Sequence, residues 1–97
     1  MRLMLKFTIP VEKGNQAARD GTMGQAIDAL IEQTQPEAAY FMVDQGKRAG
    51  MIFFEAADQA RLPELNEPLF AKLDAAVEIV PVLNQDELRK GLDKSIS

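Results

Sequence analysis

Residues 38–55, AAYFMVDQGKRAGMIFFE, read as two strands joined by a tight turn. Ala38 to Asp44 alternates, with Tyr40 and Met42 on one face and Phe41 and Val43 on the other. Asp44-Gln45-Gly46-Lys47 is the turn, in which Gly46 is free to take positive φ. Arg48 to Glu55 returns, with Met51 and Phe53 on one face and Ile52 and Phe54 on the other. Both faces of this hairpin are apolar. The wet face of an antiparallel sheet is ordinarily polar, so the hairpin belongs to a sheet that is covered on both sides.

Working outward toward the N-terminus, Leu3, Leu5, Phe7 and Ile9 alternate with Arg2, Met4, Lys6 and Thr8. A period of two over eight residues predicts a strand, ended by Pro10. Residues 10–22 are expected to form a long connection, with Asn15 capping a short turn to Asp20 and Gly21 breaking it. Thr22 and Gln25 fit a capping box. Met23, Ile27, Leu30, Ile31 and Thr34 then recur at helical spacing, and Pro36 closes that helix. Toward the C-terminus, Asp58 suits a cap, and Leu62, Leu65, Leu69 and Leu73 form an apolar stripe. Pro63 suits a first turn, while Pro68 is expected to kink or split this helix. Ala75 to Leu83 reads as a fourth strand. Asn84 and Glu87 form a second capping box, opening a terminal helix that Leu88 and Leu92 are expected to dock.

The order strand, helix, strand, strand, helix, strand predicts one α+β domain over residues 1–97, a ferredoxin-like βαββαβ plan with a C-terminal helix. Right-handed crossovers give the antiparallel strand order 4-1-3-2. Leu3, Leu5, Phe7, Phe41, Val43, Ile52, Phe54, Val77 and Ile79 are then expected to face the helices. Met4, Lys6, Thr8, Tyr40, Met42, Met51, Phe53, Glu78, Val80 and Val82 are left on the far face. Two such faces packed together are expected to bury on the order of 1,000 Å² or more, enough for a stable interface. The expected assembly is therefore a homodimer. The alternative is a monomer whose terminal helix folds back over the open face.

The 97 residues carry a net charge of −4 and contain no His, Cys or Trp. No cluster of basic residues exceeds Lys47-Arg48, which argues against nucleic acid or an anionic membrane surface as partner. Without cysteine there is neither a disulfide framework nor a thiol nucleophile. Haem ligation by His or Cys is excluded, and the acidic residues lack the spacing of a hard-metal site. Neither a cofactor nor a metal is expected. The first residues lack the apolar core of a signal peptide, and no apolar run approaches the ~20 residues that span a bilayer. The expected location is the cytoplasm.

Lys6, Tyr40 and Glu78 share the far face, and Lys6 and Glu78 are neighbours across the first and fourth strands. They read either as a structural ion pair at a dimer seam or as an acid/base pair with Tyr40 as orienting donor. Asn15, Arg19, Asp20 and Arg48 form a second set. Here the forked donors of Arg48 either hold the carboxylate of a small ligand or pair with Asp44 or Asp20 to pin the loops. Met42, with Met4 and Met51, gives the far face adaptable apolar surface.

The stretches GNQAARDGT (14–22), PEAAYFMVDQGKR (36–48), NEPLFAKLDAAVEIVPVL (66–83) and QDEL (85–88) together resemble a group of small uncharacterised bacterial proteins of the dimeric α+β barrel superfamily. That resemblance runs nearly end to end and implies the fold and the dimer. The superfamily includes cofactor-free monooxygenases and muconolactone isomerase-like enzymes. Members that rely on an active-site His or Trp have no counterpart residue in this chain.

Two functions are consistent with these residues. One is a pocket between sheet and helices that binds a small, mostly apolar carbonyl or carboxylate compound, using Arg48, Asn15, Arg19 and Met42. Cofactor-free isomerisation or enolisation would then use Glu78 or Asp20 as base and Tyr40 or Lys6 as electrophilic donor. The other is a ligand-binding or protein-interaction dimer with no reaction.

Overall fold

The computed structural model describes residues 1–96. Strand β1 (Arg2–Ile9) is followed by helices α1 (Val11–Asp20) and α2 (Thr22–Thr34). Next come the hairpin β2 (Ala38–Asp44) and β3 (Lys47–Glu55), a 3₁₀ turn (Gln59–Arg61), and α3 (Leu62–Leu73). Strand β4 (Ala76–Pro81) and helix α4 (Gln85–Ile96) complete the chain. The sheet order is β2-β3-β1-β4, every pair antiparallel. This is the expected ferredoxin-like order read from the opposite edge.

Strand β1 lies in the middle because it can be buried on one whole face. Leu3, Leu5, Phe7 and Ile9 are all buried and contact the helix layer through Ala17, Ala26, Leu30, Leu65, Leu69 and Leu73. Ile52 and Phe54 extend the same core onto β3. Each such large side chain contributes about 1.5–3 kcal/mol on burial. Between β1 and β3, Phe7 stands opposite Gly50, which has Phe41 on its other side. The Phe7 ring occupies the space where a side chain at residue 50 would lie: a Cβ there would sit 2.5 Å from Cζ of Phe7.

Several expectations are corrected. The connection over 10–22 contains a ten-residue helix, α1. Gly14 and Asn15 are poor helix formers, but Gly14 and Ala17 are buried and hold α1 against the sheet. Packing therefore overrides propensity, and Asn15 is helical rather than a cap. Gly21 does end the helix, in the left-handed conformation at φ 83°. The Thr22–Gln25 capping box does not form: Asp20 Oδ1 accepts the Thr22 amide at 2.9 Å in its place. Helix α3 runs through Pro68 without a break, and Asp58 caps the 3₁₀ turn ahead of it by accepting the Ala60 amide.

Edge strand β2 lies largely beyond the helix cover. Phe41 and Val43, expected in the core, are 55% and 77% exposed. The turn after β2 places Gln45 as well as Gly46 at positive φ, the conformation that matches the twist of a two-residue hairpin loop.

Helix α4 departs furthest from expectation. Its Asn84–Glu87 capping box forms, with the Asn84 amide donating to Glu87 at 2.9 Å and the Glu87 amide to Asn84 at 2.8 Å. Leu88 and Leu92 nevertheless dock on nothing, and α4 has no buried residue. It does not fold back over the open sheet face. Among the described residues, no helix is long and apolar enough to cross a membrane.

Replacing Gly50 with alanine forces the added methyl into the Phe7 ring. Overpacking of this kind costs about 1–3 kcal/mol, which lowers the midpoint of a domain this size by roughly 4–8 °C for each kcal/mol. Thermal denaturation of Gly50→Ala followed by circular dichroism measures this; an unchanged midpoint would show that the Phe7–Gly50 contact is slack.

Candidate functional site

The far face of the sheet carries one transverse row made of Tyr40, Met51, Lys6 and Glu78, each opposite the next across adjacent strands. With strands about 4.8 Å apart, Tyr40 and Lys6 are separated by about 10 Å of backbone, and Tyr40 and Glu78 by about 14 Å. The expected Lys6–Glu78 ion pair does not form. Lys6 Nζ reaches instead to Asp44 Oδ2 at 2.6 Å, at the far end of β2. That diagonal crosses the row of Thr8, Ala49 and Met42, where Ala49 is small and itself only 4% exposed. The Asp44 carboxylate raises the pKa of Lys6, with Glu78 adding a smaller push in the same direction. Lys6 is therefore a held cation and a poor base. Asp44 was not among the expected site residues, although it shares strand parity with Tyr40 and Met42.

Asp20 lies in the helix layer, away from that row. Hydrogen bonds from the Thr22 hydroxyl and amide hold its carboxyl below the ordinary range. It serves as the hinge cap between α1 and α2. Arg19 is exposed in the last turn of α1, where a cation favours the helix dipole.

The structure does bring Asn15 and Arg48 together. Arg48 Nη1 donates to Asn15 Oδ1 at 3.0 Å, so Arg48 takes neither Asp44 nor Asp20 as its partner. Arg48 passes close to Gly14 on the way: a Cβ there would lie 2.8 Å from the same Nη1. Arg48 thus lies along the backbone of α1 at the mouth of a groove. This groove, about 230 Å³, is lined by Phe7, Ile9, Met23, Ile27, Phe41, Met42, Arg48 and Ala49. It lies between the sheet and α2, and Arg48 is its one charged residue. Sequence reasoning placed Arg48, Asn15 and Met42 near a ligand. It assigned Phe7, Met23, Ile27 and Phe41 wholly to packing, because an edge strand left uncovered by helices has no local signature.

A second groove of about 350 Å³ opens at one end of the far face, lined by Arg2, Glu37, Ala38, Tyr40, Phe53, Val82, Leu83 and Asn84. Arg2 lies between two carboxylates. Its Nε donates to Glu37 at 2.5 Å and its Nη1 to Glu87. The Asn84 amide and the Arg2 guanidinium together hold the Glu87 carboxyl below its ordinary pKa. Parity with Met4 and Lys6 puts Arg2 on this face, a signal available in the sequence and not used.

The family described as Domain of unknown function (DUF3303) matches residues 1–96, and the chain belongs to that family. No curated protein matches it. Among solved structures, the chain is similar to a formyltetrahydrofolate deformylase from Pseudomonas putida KT2440, with a TM-score of 0.56 and 13% identity. The match takes in 84% of this chain and 29% of the deformylase, and it is a likeness of fold.

Glu87 and Asp20 both have lowered pKa values in the folded state. Their contribution to stability is therefore present above the unfolded carboxyl values of about 4 and is lost as pH falls through the lower folded values. A carboxyl-detected NMR titration should give midpoints for both below the ordinary values. Ordinary midpoints would dissolve the Asn84–Glu87 cap and the Asp20 hinge cap.

Proposed function

We propose that this DUF3303 chain is a cytoplasmic homodimer of the dimeric α+β barrel type, and that it binds a small, mostly apolar carboxylate without turning it over. The observation that carries this reading is Arg48 lining the groove between the sheet and α2, with Nη1 bonded to Asn15 Oδ1. An aliphatic body fits walls made of Phe7, Ile9, Met23, Ile27 and Phe41. A carboxylate is the natural partner for the guanidinium fork, which keeps free donors after bonding one amide oxygen. Binding rather than turnover is favoured because the acid/base candidates lie elsewhere. Lys6, Tyr40 and Glu78 line the opposite face, Lys6 is held by Asp44, and Asp20 is engaged in a cap. The homodimer is supported by the open sheet face, where Met4, Met51 and Phe53 are only partly covered and Tyr40 and Val80 are exposed.

A second reading keeps the proton-transfer chemistry, an isomerisation or enolisation, in the groove beside Arg2. What favours it is Tyr40, a hydroxyl donor close to a cationic group in a groove of about 350 Å³. Glu78, which does not line that groove, would have to be reached across the sheet.

Octanoate is the probe that separates these readings. It should bind one molecule per subunit by calorimetry, and octanol should bind more weakly. Charge-assisted hydrogen bonds contribute about 1.5–3 kcal/mol, so Arg48→Gln should weaken octanoate about 10- to 100-fold, whereas Tyr40→Phe should bind it as the unaltered chain does. Octanoate affinity insensitive to Arg48, or lost with Tyr40→Phe, would move the site to the open face. Native mass spectrometry of the same samples should give twice the subunit mass.

A further inference from the structure

Helix α4 presents Leu88, Leu92 and Ile96 at successive i, i+4 positions, and all three lie in water at 49%, 49% and 81% exposure. Gly91 and Ser95 flank that stripe, and nothing lies within 4 Å of where a Gly91 side chain would be. A glycine inside a helix costs about 1 kcal/mol relative to alanine, and no contact within the chain explains this one. The helix also sets the shape of the molecule. The radius of gyration is 15.5 Å and the longest extent 55 Å, whereas a compact chain of this length has a radius of about 12–13 Å.

We infer that α4 is an exchanged arm: its Leu88–Leu92–Ile96 stripe packs on the second copy of the chain. This inference rests on the homodimer proposed above and deepens it. The area that a stable dimer needs selects this occupant. The open face measures four strands by about six residues, roughly 400 Å² per copy, while a specific interface takes about 800 Å² from each partner. By this measure the sheet faces alone supply about half, short of the full interface expected from the strand pattern. An arm of twelve residues is about 18 Å long and presents a strip about 10 Å wide. Each copy gives that strip and receives the partner's on an equal area, which brings the interface close to the standard size. The arm's root is already placed for this. Connector residues Val82, Leu83 and Asn84 line the far-face groove with Tyr40 and Phe53, and the Arg2–Glu87 contact fixes the first turn of α4 there. The helix therefore leaves from the face that meets the partner and runs away from its own sheet.

The test uses full-length protein prepared in ¹⁴N and ¹⁵N forms, mixed under conditions that exchange subunits, and treated with an amine-reactive cross-linker. Lys90 and Lys94 lie on α4, and Lys6, Lys13, Lys47 and Lys72 lie on the body. Isotope-mixed peptides joining Lys90 or Lys94 to a body lysine are expected. Arm-to-body peptides of one isotope only, in a sample that native mass spectrometry finds dimeric, would overturn the arm exchange and leave the dimer standing. A monomer would remove both. In parallel, Leu92→Ala keeps the helix, since alanine is the best helix former, but removes buried surface. The dimer dissociation constant should rise about tenfold; an unchanged constant would overturn the inference.

Discussion

The structure depends on the register of β1 between β3 and β4. Leu5 stands opposite Ile52 on one side and Ile79 on the other, and Lys6 likewise stands between Met51 and Glu78. Because side chains alternate strictly along a strand, this single register divides the whole sheet into a core face and an open face. A slip of one residue would put Lys6 into the core and Leu5 on the outside. The Phe7–Gly50 contact guards against that slip, since the ring fits only over a residue with no side chain. The hairpin turn fixes β2 on β3 in the same way, through two consecutive residues at positive φ.

Much of this was legible in the chain. Alternation along 2–9 and 38–55 defined three strands and both faces, and leucine spacing over 62–73 defined α3. What stayed hidden was set by contacts remote in sequence. Helix α1 is held by Gly14 and Ala17 lying on the sheet; its sequence is amphipathic, but Gly14 and Asn15 lower its propensity and the buried positions are small residues rather than a large apolar stripe. Parity placed Asp44 and Glu78 on the same face as Lys6. The choice of Asp44 depends on the path of a long side chain across Ala49, which pattern alone does not encode. An amphipathic stripe such as Leu88–Leu92–Ile96 states that a helix wants an apolar neighbour without stating whose. Its spacing could not distinguish docking on its own body from exposure.

The candidate site shows the same division. Arg48 and Asn15, 33 residues apart in sequence, were grouped by topology, and they do meet. The apolar walls around them follow from helix cover that stops short of the edge strand. The two grooves lie on opposite sides of the sheet and differ in character. One has a single cation at an otherwise apolar mouth. The other is built around Arg2 between two carboxylates, and its far end is the root of the arm.

Arg2 carries a mechanical consequence. Its guanidinium joins Glu37, just ahead of β2, to Glu87 in the first turn of α4, and both carboxylates are substantially exposed. The same Glu87 oxygen that meets Arg2 also accepts the Asn84 amide, and the Glu87 amide donates back to Asn84 Oδ1. Formation of the helix and its direction thus converge on one carboxylate. A single acidic side chain, Glu87, is therefore both the first link of α4 and its anchor to the sheet.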